Sequence, residues 1–237
     1  MENSILSSLP APELARLLPF LQRVHVEIDQ TLIEPDKPIP FVYFPLDCVA
    51  SIQAVRVGPS STGIVGYEGC IGVPVWLRQD TTPIRTFVQA AGQALRMPAA
   101  AFRQEIGRPS SPLNGLLADY THSLLVMTSY TAVCNEAHPL DARLCRWLTM
   151  MYNRARKREF VMRQEFLAYM LGVSRPTISI AAAELRRQGW VQYRRGRMHI
   201  LDAEAIERRA CACLRLIESA FRLPLSSNAD ARNLPTA

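Results

Sequence analysis

Long apolar runs, grouped cysteines and lysine are scarce in this sequence. Its 237 residues contain no apolar stretch of the roughly 18 residues that a membrane-spanning helix needs, so we expect no such helix. The opening residues, MENSILSSLP, have neither the basic segment nor the apolar segment of a secretory signal. The 6 cysteines are spread along the chain instead of forming a disulfide framework. We therefore expect a protein of the reducing cytoplasm.

The motifs of several common enzyme classes are also missing. There is no Gly-rich phosphate loop, no HExxH and no GxSxG, so we expect no catalytic residues. Cys211 and Cys213 are close in sequence, on a helix predicted over 203–222. Residues two apart on a helix point to different sides, so we predict neither a metal site nor a disulfide from this pair. No cofactor is predicted.

Positive charge is nearly all arginine and lies in one part of the chain. Lys37 and Lys157 are the two lysines. Residues 1–137 hold 9 Lys and Arg against 12 Asp and Glu, whereas residues 138–237 hold 18 against 9. Because a guanidinium is forked and weakly hydrated, it suits phosphates and guanine edges. The C-terminal part therefore has the charge of a polyanion-binding domain, although charge alone fits a merely basic domain equally well.

The hydrophobic pattern divides the chain into a β-rich part and a helical part. A short helix is predicted over 11–22, followed by short strand-like runs to about residue 106, separated by Pro, Gly and Asp. The fold class expected is α+β, with an N-terminal β-roll, a long helix and a C-terminal winged helix-turn-helix. The expected domains are a roll over 1–109, a helix over 110–137, a DNA-binding domain over 138–222 and a flexible tail over 223–237.

The long helix carries a seam of apolar residues at alternating spacings of three and four. We interpret this seam as a two-fold dimer contact, and its residues are Leu117, Tyr120, Leu124, Met127 and Thr131, with Cys134 at its end. A helix that packs against its own domain shows the same periodicity, so that alternative stays open. The sequence His138-Pro139 then predicts a break before the next helix.

The stretch RQEFLAYMLGVSRPTIS, residues 163–179, matches a helix-turn-helix unit counted from Gln164. Ala168 is small where two helices cross, and Gly172 can adopt the left-handed turn. Five further positions that face the shared core are apolar: Leu167, Leu171, Val173, Ile178 and Ala181. Ser174 is placed to cap the second helix, which begins with Arg175. Such a helix presents its N-terminal residues to the major groove of DNA.

A basic hairpin follows the predicted recognition helix. The segment WVQYRRGRMHIL, residues 190–201, reads as strand, turn and strand with Gly196 at the turn. Arginines at such a tip would contact phosphates as a wing. The residues expected to contact DNA are Ser174, Arg175, Pro176, Thr177, Ser179, Ile180, Arg186, Arg194, Arg195 and Arg197.

The order of roll, long helix, helix-turn-helix and basic wing resembles the Crp/Fnr transcription regulators. GVSRPTIS and ELRRQGWVQYRRGRMHIL are the specific part of this resemblance, and VYFPLDCVASI and YEGCIGVPVWL are similar to the cyclic-nucleotide-binding-like sensor roll. The resemblance implies a homodimer that binds a two-fold operator in double-stranded DNA and contacts RNA polymerase. Where well-known members use a Glu and a second Arg to read bases, this chain has Pro176 and Ile180. Its operator should therefore differ from theirs.

The sensor also departs from the family pattern. The resemblance implies candidate effector-binding residues at Gly69, Cys70, Arg85 and Thr86, but Cys70 stands where cyclic-nucleotide binders place a ribose-binding Glu. A thiol is a poor acceptor, so we expect no response to cyclic AMP. The cysteine cluster of the iron–sulfur members is also missing, because no cysteine precedes Cys48. Control by another nucleotide, such as a cyclic dinucleotide, is the alternative function.

Overall fold

The computed structural model describes residues 2–55, 60–194 and 196–221. The predicted tail over 223–237 and Arg195 lie outside the described residues. The α+β class is confirmed, with two antiparallel sheets in the N-terminal part, a long central helix and a helical C-terminal part that carries a third small sheet.

The N-terminal part is a roll of seven strands in two sheets. The strands are β1 (Gln22–Val26), β2 (Thr31–Ile33), β3 (Phe41–Pro45), β4 (Val49–Ala54), β5 (Ser60–Val65), β6 (Ile84–Ala90) and β7 (Gly92–Pro98). One sheet has the order β1-β7-β3 and the other has the order β2-β6-β4-β5. The faces between them hold a core that includes Val42, Phe44, Val88 and Met97.

Four short helices border the roll. They are α1 (Ser4–Ser7), α2 (Ala11–Leu17), α3 (Val73–Trp76) and α4 (Ala99–Ile106). The predicted helix over 11–22 is too long, since α2 ends at Leu17 and a 3-10 turn over Leu18–Phe20 leads into β1. Pro19 explains this end, because proline has no N–H to donate within a continuing helix.

The long helix α5 spans Pro112–Ala137, and its end at His138-Pro139 is as predicted. Ser111 precedes its first turn but makes no capping hydrogen bond; its Oγ donates instead to Glu13 Oε1 at 2.9 Å. The proline at 112 sits where an N–H would have no partner within the helix, which favours a start at this point.

The residues of the predicted dimer seam pack against their own chain. Leu117, Tyr120, Met127, Thr131 and Cys134 are all buried within a single chain, and Leu124 is half-buried. A side chain buried within its own chain has little accessible surface left for contact with a second protomer. The periodicity could not distinguish the two interpretations, because both require one apolar face on the helix.

The C-terminal part builds on α6, which spans Leu140–Ala155. The remaining elements are β8 (Glu159–Val161), α7 (Gln164–Leu171), α8 (Arg175–Arg187), β9 (Val191–Arg194), β10 (Arg197–Ile200), α9 (Ala203–Arg209) and α10 (Cys213–Phe221). The small sheet has the order β8-β10-β9. No single helix in the described ranges could cross a membrane by length and apolarity; α7 and α8 meet that test as a pair, but they are bent by 106°.

The predicted helix over 203–222 is two helices. Ala210 has extended backbone, and the chain turns there before α10 begins. The physical reason is that the two helices pack on different supports: α9 lies on α6, and α10 lies on α5. Ser123 Oγ on α5 donates to Ala220 O on α10 at 2.7 Å, which anchors the second of them. The inference that Cys211 and Cys213 point apart depended on one continuous helix, and it fails with it.

A buried ion cluster joins the roll to the C-terminal part. Arg154 on α6 contacts Glu68 of the roll at 2.7 Å and Glu218 of α10 at 2.9 Å. Burial acts to lower the pKa of Arg154, but the two carboxylates outweigh it and the pKa is raised. Because the side chain of Arg154 is 3% exposed, loss of one partner would leave charge stranded in the interior.

Candidate functional site

Helices α7 and α8 form the helix-turn-helix that the sequence predicts. Gly172 ends α7 in the left-handed region with φ 64°, and Val173 N donates to Ala168 O at 3.0 Å across the turn. Ala168 is buried at the crossing, where a larger side chain would separate the helices. The core positions Leu167, Leu171 and Ile178 are buried, while Val173 and Ala181 are half-buried. The unit therefore has the packing expected of it.

The start of α8 is fixed by its cap and its first turn. Ser174 has extended backbone, and its Oγ accepts a hydrogen bond from Thr177 N at 3.4 Å. Pro176 lies in the first turn, where its missing N–H costs no intrahelical bond. This arrangement presents the N-terminal end of α8 at the surface.

Five predicted contact residues lie exposed at this end of α8, and a sixth is used inside the unit. The five are Ser174, Arg175, Pro176, Thr177 and Ile180, and Ile180 is 73% exposed although its side chain is apolar. Ser179 is half-buried, and its Oγ lies 2.7 Å from Gln164 Oε1 on α7. Ser179 therefore ties the two helices together and has less of its hydroxyl to offer a base.

Arg175 has one ion-pair partner among the described residues. Its Nε lies 3.1 Å from Glu165 Oε1, and the two side chains are 65% and 60% exposed. An exposed pair of this kind contributes about 0–1 kcal/mol, so it can open at little cost when a stronger partner approaches. The pair also holds the guanidinium at the outer edge of the helix-turn-helix.

The wing consists of β9 and β10, joined at Gly196 with φ 74°. Arg194 at the end of β9 is exposed, as is Arg186 in the last turn of α8. Arg197 is paired with Glu159 of β8, and this pairing lowers the pKa of that carboxyl. The tip is thus less uniformly basic than the sequence suggested, because one of its arginines is already neutralised.

A second candidate site is an apolar pocket of about 220 Å³ between the roll and α5. Its wall on the roll is apolar or hydroxyl-bearing, and α5 contributes Thr121, Leu124, Leu125 and Thr128. No charged side chain lines it among the described residues. The roll residues that line it are Ile33, Ile52, Thr62, Val65, Cys70, Ile71, Gly72, Val73, Pro74, Leu77, Thr82, Ile84 and Thr86.

Two of the four predicted effector-binding residues line the pocket. Cys70 and Thr86 line it, but Arg85 does not. Arg85 is next to Thr86 on strand β6, and adjacent strand residues point to opposite faces of a sheet. On that other face, the guanidinium donates to Thr31 Oγ1 at 2.8 Å and stacks 4.8 Å from the Phe87 ring centroid. Alternation along the strand could have revealed this from sequence.

Gly69 has a packing role beside the pocket. A Cβ at this position would approach the Tyr120 ring to 2.2 Å, so only glycine fits beneath α5. Tyr120 Oη in turn donates to Cys70 O at 3.0 Å. Burial raises the pKa of the Cys70 thiol to about 12, so it is a neutral, apolar part of the wall.

Comparisons with known proteins agree with this architecture. A family model for the Crp-like helix-turn-helix domain matches residues 142–209. No curated protein matches the chain. A Crp/Fnr family transcriptional regulator from Thermus thermophilus is similar in structure, with 17% identity, 80% of this chain and 98% of that chain covered, and a TM-score of 0.64.

Two further solved structures are similar. One is a c-di-GMP responsive global regulator from Xanthomonas campestris, with 16% identity, 81% and 99% coverage and a TM-score of 0.62. The other is a regulator of the crp/fnr family from Eubacterium rectale, with 14% identity, 86% and 96% coverage and a TM-score of 0.62. At these identities the structures show the fold alone.

Residues 142–209 belong to the family of Crp-like helix-turn-helix domains.

Sequence reasoning missed the apolar character of the pocket between the roll and α5. Ile52, Val65 and Ile71 had no motif to mark them, because wall residues come from separate strands and meet only in the folded roll. It also missed the exposed face of α5, on which Leu125 is 62% and Val133 is 54% exposed. Large apolar side chains so exposed on a helix are the signal of a contact surface.

Proposed function

We propose that this chain is a Crp/Fnr-type transcription regulator that binds a two-fold operator as a homodimer, with α8 of each protomer in the major groove. The observation that carries the proposal is the division of α8 into two faces. Ile178, Ala182 and Leu185 are buried in the helix-turn-helix, whereas Arg175, Thr177 and Ile180 are exposed at its N-terminal end. A recognition helix packs one face against the rest of its domain and exposes its N-terminal residues to the DNA, and α8 has this arrangement.

The exposed side chains suggest what α8 reads. Arg175 can donate two hydrogen bonds to a guanine, and Ile180 can contact a thymine methyl group. Thr177 can bond to either kind of base edge. Arg186, Arg194 and the wing tip supply positive charge for phosphates on either side of the groove. Contact with RNA polymerase is proposed from the family resemblance alone.

The exposed face of α5 offers a second candidate dimer surface. Its residues recur at spacings of 3, 4, 3, 4 and 3, and they are Gly115, Ala118, His122, Leu125, Ser129 and Ala132. All six are exposed. Four of them have small side chains, which allow two helices to approach closely, and the 3-4 spacing is that of a two-helix seam. We therefore assign the dimer contact to this face.

A selection experiment tests the operator proposal. Purified protein would be used to enrich binding sites from random double-stranded DNA, and its mass would be measured by analytical ultracentrifugation. We expect enrichment of an inverted repeat with half-sites about one helical turn apart, and a dimer at micromolar concentration. Enrichment of a single asymmetric half-site by a monomer would refute the two-fold arrangement, and no enrichment would refute sequence reading altogether.

Control by a small apolar ligand is a second candidate function. The pocket is somewhat larger than the roughly 150 Å³ apolar cavity that holds benzene in an engineered protein, and its described wall offers no charge for a phosphate. The Xanthomonas neighbour responds to a cyclic dinucleotide, but here Arg85 faces away from the pocket. Because α5 supplies one wall, a ligand would press on the helix that carries the proposed dimer surface.

A thermal-shift screen separates the ligand classes. At about 100 times its Kd an apolar ligand should stabilise the fold by about 2.7 kcal/mol, which is about 5–10 °C for a chain of this length. Thr86→Phe should fill the pocket and remove the shift, while Arg85→Ala, on the opposite face, should retain it. A shift with cyclic AMP or c-di-GMP that Arg85→Ala abolishes would favour the nucleotide alternative instead.

A further inference from the structure

Four metal-ligating side chains converge where α5 meets the turn between α9 and α10. Cys134 and His138 come from the C-terminal end of α5, and Cys211 and Cys213 come from the turn that interrupts the predicted helix. Their ligand atoms all lie within 4.8 Å of one another. Cys134 Sγ is 3.3 Å from Cys211 Sγ, and Cys213 Sγ is 3.7 Å from His138 Nδ1.

These distances are close to those around a single tetrahedral ion. Zinc binds thiolates at about 2.3 Å and imidazole nitrogens at about 2.0–2.1 Å, which at tetrahedral angles sets two sulfurs about 3.8 Å apart and a sulfur and a nitrogen about 3.6 Å apart. The Cys213–His138 contact of 3.7 Å matches this value, and the Cys134–Cys211 contact of 3.3 Å would lengthen by about 0.5 Å around the ion. An iron–sulfur cluster spreads its ligands over more than one iron, so a set as compact as this one favours a single ion.

The charge around the cluster supplies a second, independent observation. Arg143 and Arg146 are 8% and 3% exposed, and the Nε atom of each has no hydrogen-bond partner. Within the described residues neither arginine forms a salt bridge with a carboxylate. Two buried guanidinium groups need negative charge nearby, because an unpaired buried charge is costly.

Thiolates on a zinc ion would meet this need. Three thiolates and one Zn²⁺ carry a net charge of −1, which offsets one of the two arginine charges.

We propose that Cys134, His138, Cys211 and Cys213 bind one zinc ion that ties the C-terminal helices to α5. The ligand set of three thiolates and one imidazole is a closed structural set, with no position left for a substrate. Cys211 also borders a surface cleft with Glu204 and Glu207, which gives the ion a route in. The site is separate from the DNA-reading end of α8 and from the apolar pocket, so it does not depend on either proposed function.

Metal content and cobalt spectroscopy of the full chain test the proposal. Protein purified under reducing conditions from zinc-supplemented cells should retain about one zinc per chain after dialysis. Cobalt replacement should give the visible absorption of a tetrahedral ion and thiolate-to-cobalt charge transfer. Cys134→Ser and Cys211→Ser should lose both signals. Cys145→Ser, which alters a buried thiol outside the cluster, should keep them.

A rescue variant guards against simple misfolding. His138→Cys supplies a fourth thiolate, so it should still bind cobalt and show stronger charge transfer, whereas His138→Ala should bind with the spectrum of three protein ligands. Reduced wild-type protein that is folded by circular dichroism but takes up no more cobalt than Cys134→Ser would overturn the proposal. Recovery of a Cys134–Cys211 disulfide in such metal-free protein would assign the pair to thiol oxidation instead.

Discussion

Replacing Arg175 with alanine tests the orientation of α8 directly. Arg175 begins this helix, its side chain is 65% exposed, and its ion pair with Glu165 at 3.1 Å is the one constraint that binding must release. The substitution removes no buried contact, so the fold should be unaffected. Any loss of DNA binding can therefore be attributed to the groove.

The expected magnitude follows from two opposing free energies. A bidentate contact with guanine discriminates by about 1–3 kcal/mol, and opening an exposed ion pair costs about 0–1 kcal/mol. Mid-range values of about 2 and about 0.5 kcal/mol leave a net loss of about 1.5 kcal/mol per protomer, so the two protomers of a dimer lose about 3 kcal/mol, or about 150-fold in operator affinity. Affinity for scrambled DNA should change far less, because it depends on phosphates.

The measurement is fluorescence anisotropy with selected operator and scrambled DNA over a salt series. Arg187→Ala is the matched control, because Arg187 lies on the same helix, pairs with Glu184 at 2.7 Å and is 70% exposed. Arg187 lies 12 residues after Arg175. The two residues are therefore about 18 Å apart along the helix axis. The control should leave the ratio of operator to scrambled affinity unchanged.

Two further variants sharpen the result. Glu165→Gln releases Arg175 from its pair, so operator affinity should rise by up to about fivefold. Arg194→Ala on the wing should weaken both DNAs alike and lower the salt slope by about 2 in a dimer. If Arg175→Ala leaves the operator-to-scrambled ratio at its wild-type value, α8 does not read bases from this end and the orientation is wrong.

Three other perturbations have definite expected outcomes. Leu125→Asp should place a charge in the proposed dimer surface and give a folded monomer by sedimentation. Leu124 packs on its own chain, so Leu124→Asp should instead lower the melting temperature. A Leu125→Asp protein that remains dimeric would refute the assignment. Arg154→Met should strand two carboxylates and cost about 3 kcal/mol, or about 6–12 °C in melting temperature, and an unchanged value would show that the cluster is not coupled to folding. Burial raises the pKa of the thiols of Cys70 and Cys145 to about 12, so each contributes stability below its ordinary pKa that is lost as pH rises through the raised one. The free energy of unfolding should therefore fall between about pH 9 and 12, and each thiol should contribute about 1.4 kcal/mol per pH unit to that fall. Cys145→Ala should make the fall shallower.

The helix-turn-helix could be predicted residue by residue because its constraints are local. Ala168, Gly172 and Ser174 each answer a requirement of backbone geometry within a few residues: a close crossing, a left-handed turn and a helix cap. Such requirements depend on the neighbouring chain and not on the rest of the fold. The roll, the long helix and the wing were predictable for the same reason, since strand alternation, helical periodicity and turn residues are all short-range signals.

The tertiary structure decided which face of each element meets which partner. The seam of α5 containing Tyr120 and Met127 is apolar whether it packs on the roll or on another protomer, and only the burial of those side chains distinguishes the two. Arg85 and Thr86 are adjacent in sequence, yet the sheet sends them to opposite sides.

The break at Ala210 shows the same limit most clearly. Residues 203–222 have the composition of one helix, but α6 and α5 offer separate supports, and the packing gained on both outweighs the helical turn lost between them. That turn brings Cys211 and Cys213 beside Cys134 and His138, residues more than 70 positions earlier. Sequence determined that the thiols and the imidazole exist, and long-range packing alone decided that they meet.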